Sequence, residues 1–105
     1  MESIEALFQM VTLSESKQHT VSKILSLLAP DILTTWLEKL QIKDARIAGT
    51  FYAELASRLA YSDFVALYEA LGYDFDQPGI WKDWWCYGAE HCKRQSGYTC
   101  DPKAC

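Results

Sequence analysis

The sequence predicts an all-α fold. It reads as a small antiparallel bundle of about five short helices over residues 1–72. A tryptophan- and cysteine-rich C-terminal segment, 73–105, packs on that bundle as part of the same domain. Three observations carry this expectation. Apolar residues recur at i, i+3, i+4 and i+7 through most of the first 72 positions. No stretch alternates apolar and polar for long enough to suggest a half-buried strand. Capping residues, proline and glycine punctuate the chain at short intervals, which gives short helices with small connections.

The first helix falls at 2–11, where Ile4, Leu7, Phe8 and Val11 share one face. Thr12 and Glu15 have capping-box spacing. They open a second helix over 13–28, with Val21, Ile24, Leu25 and Leu28 inward, Leu27 widening the stripe, and a polar first half that leaves His19 on the surface. Pro30 cannot donate a backbone hydrogen bond and drives Ala29 out of helical space. A third helix, 30–40, therefore starts with proline at its first position, Asp31 near the positive end of its dipole, and Ile32, Leu33, Trp36, Leu37 and Leu40 inward. The second and third helices could also form one kinked rod.

Residues 41–43 make a short connector, and Asp44 caps a fourth helix over 45–60 with Ile47, Ala48, Phe51, Tyr52, Leu55 and Leu59 on its apolar side. Gly49 inside it costs about 1 kcal/mol against alanine, which suggests that another helix passes close by. Ser62 caps a fifth helix, 63–71, with Phe64, Leu67, Tyr68 and Leu71 inward, and Gly72 stops it.

Composition changes at Gly72. The remaining 33 residues hold all four cysteines and seven of the fourteen aromatics, Tyr73, Phe75, Trp81, Trp84, Trp85, Tyr87 and Tyr98, too dense a set for a linker. Residues 73–79 read as a turn-rich connection. A sixth helix over 81–94 would align Trp81, Trp84 and Trp85 at i, i+3, i+4, a face that lies back over the bundle. With Tyr87 they form the candidate binding surface, since tryptophan and tyrosine bury large areas at low entropy cost.

Cys86, Cys92, Cys100 and Cys105 are separated by five, seven and four residues. None of these spacings is the C-x2-C of common zinc sites. The four still admit a zinc ion, with His91 as an alternative nitrogen ligand, and equally admit two disulfides in any of three pairings. Crossed or nested pairings would tie the segment down best. Cys92, flanked by His91 and Lys93, is the best placed of the four for thiol reactivity.

The remaining features mainly exclude. One domain is expected at 105 residues. The net charge is −4 and the largest basic cluster is the pair Lys93 and Arg94, so no nucleic-acid footprint is present. No apolar run approaches the roughly 18–20 residues of a membrane span. The acidic start, Met1 to Glu5, lacks the basic and apolar regions of a secretory leader, so a cytoplasmic protein is expected. Cytoplasmic cysteines lean towards metal or redox work, secreted ones towards disulfides. The chain has no Glu-x-x-His pair, nucleophile elbow, P-loop or dinucleotide motif.

A helical front followed by a short cysteine-bearing end resembles the layout of precursors of ribosomally made modified peptides. The likeness is of layout alone and assigns no residue. It implies a carrier or precursor whose cysteine end is altered by an enzyme. The expectation placed first is a small non-catalytic protein acting by protein–protein interaction, as adaptor, regulator or inhibitor. A metal-binding or redox protein comes second.

Overall fold

A computed structural model describes residues 3–73, 79–88 and 91–105. It is a mixed α/β structure, which overturns the all-α expectation. The elements run α1 (Ile4–Met10), α2 (Glu15–Leu25), α3 (Pro30–Glu38), β1 (Gln41–Lys43), β2 (Arg46–Phe51), α4 (Ala53–Arg58), α5 (Tyr61–Ala70), β3 (Trp81–Gly88) and β4 (His91–Cys100). The four strands form one antiparallel sheet in the order β1-β2-β4-β3.

Helices do form where the spacing placed the first, second, third and fifth, with different ends. Ser3 caps α1, its hydroxyl oxygen accepting from the Ala6 amide at 3.1 Å. Ser14, not Thr12, caps α2. Residues 26–29 separate α2 from α3, so there is no kinked rod, and Pro30 occupies the first turn of α3. The N-cap of α5 is Ala60 rather than Ser62. Gly72, at φ +73, ends it, while the Tyr73 amide returns to the Tyr68 carbonyl at 2.9 Å.

The predicted fourth helix is the first large correction. Asp44 does not cap a helix; Asp44 and Ala45 take φ values of 54° and 62° and reverse the chain, so that Lys43 pairs with Arg46. A two-residue turn with both central residues at positive φ has the hand that antiparallel strands require. Residues 41–43 are thus β1, and the chain continues through β2 before α4 begins at Ala53. The helical spacing across 45–60 came from a strand and a short helix that serve one core: Ile47 and Leu55 are both buried in it. Gly49 does mark a close approach, but not of a helix. A Cβ there would lie 2.6 Å from Gln41 Oε1 and 2.8 Å from the Thr99 carbonyl oxygen.

The second correction is the sixth helix over 81–94, which is the β3–β4 hairpin. Its tryptophans, tyrosines and threonine favour the pleated surface. Residues 89 and 90 of that segment, and 74–78 of the turn-rich connection including Phe75, lie outside the described residues.

The main core joins all five helices to β2 through Leu7, Val21, Leu25, Trp36, Leu55 and Leu67, among others. A second cluster on the sheet holds Ala48, Cys86, Cys100, Ala104 and Cys105. Successive β2 residues, Ile47 and Ala48, enter the two clusters, so β2 is wedged between them. Buried hydrogen bonds cross the same boundary. Trp36 Nε1 donates to the Tyr68 hydroxyl at 3.4 Å, which pairs with Thr50 Oγ1 at 3.0 Å, which pairs with Thr99 Oγ1 at 2.8 Å. Among the described residues no helix is long and apolar enough to cross a membrane.

Candidate functional site

The β3–β4 hairpin folds back on itself, and this fold positions the aromatics and the sulfurs. Lys82 pairs with Thr99 but Trp84 pairs with Arg94, so Asp83 alone opposes residues 95–98. Cys92 and Cys100 lie on one strand, eight positions apart, yet their Cα atoms are 6.1 Å apart. Eight extended steps would span about 26 Å. The bend occurs where Asp83 takes φ 66° and Gly97 takes φ 89°.

One carboxylate oxygen fastens the bend. Asp83 Oδ1 accepts from the Gly97 amide at 2.9 Å and from the Tyr52 hydroxyl at 2.7 Å. The Tyr52 amide donates to the Gly97 carbonyl at 2.9 Å, which joins the bend to the start of α4. The Gly97 amide, then the Tyr52 hydroxyl, hold the Asp83 carboxyl below the usual carboxylate range. Burial, then the bond to Asp83, push the Tyr52 phenol up to about 12.

The four predicted binding aromatics do not share a face. Trp81 and Trp84 meet edge to face at 5.2 Å, and Trp84 packs against the cysteine cluster. Trp85 is on the other side. Its ring meets Tyr98 edge-on at 4.4 Å, and Tyr98 meets Phe51 at 4.8 Å. Lys39 Nζ stands 5.6 Å from the Phe51 ring centre and 5.7 Å from that of Tyr98. Tyr87 is 66% exposed and carries Lys93 Nζ at 4.0 Å from its ring centre, while Lys93 pairs across the strands with Trp85. Trp85, Tyr98 and Phe51 thus form a row of rings with Lys39 over its Phe51 end, and Lys93, opposite Trp85, links that row to the exposed Tyr87. Lys39, Phe51 and Tyr98 could not be assigned to this surface from spacing, because the pairing of Phe51 with Tyr98, far along the chain, brings them there.

All four predicted sulfur ligands converge, as two nested disulfides: Cys86–Cys105 and Cys92–Cys100, with Cα separations of 5.7 and 6.1 Å. The sulfurs of Cys86, Cys100 and Cys105 lie within 4.8 Å of one another and are buried. Cys92 is the partly exposed member. The His91 imidazole is exposed and does not belong to this group. Lys43 Nζ donates to the Cys105 carbonyl oxygen at 3.0 Å, and the Cys105 amide to that of Asp101 at 2.8 Å, which seats the final turn against β1. Beside it an open groove of about 580 Å³ runs between Met10, Leu40, Ile42 and Tyr87. Gln41 Nε2 donates to the Cys86 carbonyl at 2.7 Å, joining β1 to the far end of β3.

Compared with protein families, with curated proteins and with solved structures, the chain shows no match.

Proposed function

We propose that the protein acts by binding another protein through the aromatic face of the folded hairpin, with Trp85, Tyr87, Tyr98 and Phe51 as the contact and Lys39 and Lys93 set among them. The observation that carries this reading is the row of rings Trp85, Tyr98 and Phe51 with the Lys39 ammonium group over it, and the exposed Tyr87 under Lys93 beside it, on an otherwise acidic chain. Rings held by strands bury area at little entropy cost, and cations over ring faces suit a partner with acidic side chains. Trp84 supports the sheet from the opposite side, where it packs on the cysteine cluster and meets Trp81 edge to face.

The test is quantitative affinity capture with the wild type, Tyr87→Ala and Lys93→Glu, each with its fold verified by circular dichroism. A genuine partner is lost with both variants and is released by moderate salt. Equal recovery by folded variants sinks the reading.

A second reading has its own support in the three clustered sulfurs. In fully reduced protein the thiolates of Cys86, Cys100 and Cys105, with Cys92 turning in as the fourth, would hold one zinc ion. Zinc titration of reduced protein followed by native mass spectrometry would then give one ion per chain, and none in Cys100→Ser. Enzymatic modification of the cysteine end would have to begin from sulfurs that are already paired.

A further inference from the structure

We propose that the four cysteines form an exchange relay, in which an electron pair accepted at Cys92 is passed through Cys100 to the buried Cys86–Cys105 bond without unfolding. The proposal does not depend on the binding reading. It rests on the order of exposure and on the grouping of the sulfurs. Cys92 is partly exposed, whereas Cys100 and Cys105 are 0% and 2% exposed and Cys86 is 8% exposed. An external thiol therefore reaches the outer bond at Cys92. The Cys100 sulfur belongs to that bond, yet it lies within 4.8 Å of both sulfurs of the inner one.

The reductant is a dithiol, the class that a reducing cytoplasm supplies. Its thiolate attacks Cys92 Sγ, forming a mixed disulfide and breaking the Cys92–Cys100 bond, and Cys100 leaves as a thiolate. That thiolate is held in a buried site beside a disulfide. It attacks Cys86 Sγ, forming a Cys86–Cys100 bond and expelling Cys105. The second thiol of the reductant then attacks its own sulfur in the mixed disulfide, which frees Cys92. One dithiol is oxidised to a disulfide. The protein gains two electrons and two protons, at Cys92 and Cys105, and keeps one bridge.

Cys105 is the assigned leaving group for two reasons. The Lys43 ammonium group is anchored on the Cys105 carbonyl oxygen at 3.0 Å and favours negative charge at that residue. Once protonated, the Cys105 sulfur has an acceptor at hand, the His91 carbonyl oxygen at 3.6 Å. The outcome for the molecule is release of the final turn, 101–105, from β3.

The experiment is timed partial reduction of the oxidised wild-type protein with dithiothreitol. Acid quenching, alkylation of free thiols and mapping after cleavage at lysine, arginine and glutamate follow. The expected major one-bridge species carries alkyl groups on Cys92 and Cys105 and a Cys86–Cys100 bond. The same mapping in denaturant, where proximity is lost, should remove its predominance. A major species with Cys86–Cys105 intact, or with Cys92–Cys100 intact, overturns the relay. So does equal abundance of the Cys86–Cys100 species in denaturant. A Cys100–Cys105 bond overturns the assigned leaving group.

Discussion

Gly97 occupies a position that no other residue type can fill without strain. Its φ of 89° disfavours any side chain, and a Cβ there would sit 3.1 Å from the Phe51 ring and 3.2 Å from the Ala53 Cβ. Gly97→Ala should lower stability by about 1–3 kcal/mol, read from the urea midpoint, and weaken the Asp83 bonds with it. Asp83 gives a pH signature. Its carboxyl is held below the ordinary value of 3.8, so its contribution is present above that pH and is lost as pH falls through the lowered value. Asp83→Asn should flatten the acid limb of stability in thermal melts below about pH 4, where wild type loses stability. Neither residue was marked by the sequence. Asp83 sits among tryptophans, and its role depends on an amide 14 positions away.

The elements divide by how far their stabilising contacts lie along the chain. The helices were legible because each one's face is written in its own few residues, as with Val21, Ile24 and Leu25 on α2. The sheet was not. β4 shows no alternation, since its middle residues leave the ladder at the bend, and β2 is buried on four successive positions because both its faces are covered. The β1–β2 turn was hidden for a simpler reason. Asp44 is followed by alanine, where the usual hairpin signal is aspartate then glycine. Ala45→Gly should therefore relieve the φ of 62° and stabilise by about 0.5–1 kcal/mol, net of the added freedom of the unfolded chain. Thermal denaturation measures it, and a lower melting temperature would contradict the turn assignment. The cysteine set was legible as a set, while its pairing required the folded hairpin.

At the scale of the whole molecule the two bridges are nested, one spanning 19 positions and the other 8. Chain entropy alone gives about 3 kcal/mol for the longer and about 2.5 for the shorter, each reduced when the other is present because it shortens the remaining loop. Cys86→Ser/Cys105→Ser should accordingly lose slightly more stability than Cys92→Ser/Cys100→Ser in matched urea titrations. Alkali tests the buried phenols. Burial pushes Tyr68 up to about 12 and Tyr73 above the usual tyrosine range. These groups favour the folded state in full below the ordinary 10.0, and that contribution is lost as pH rises through about 12. Tyrosinate absorbance should show these two ionising together with loss of circular dichroism; separate, earlier titration would place them at the surface.

The buried run from Trp36 through Tyr68 and Thr50 to Thr99 also acts as a proofreading device for assembly. Were β4 to slide one position along β2, Thr99 would turn its hydroxyl to the opposite face of the sheet. Thr50 would then lose its Thr99 partner inside the protein, at roughly 1–3 kcal/mol for a stranded buried group. Apolar contacts between the layers would tolerate such an error far better. The four side chains thus favour one alignment of the C-terminal hairpin on the helical layer and penalise its neighbours.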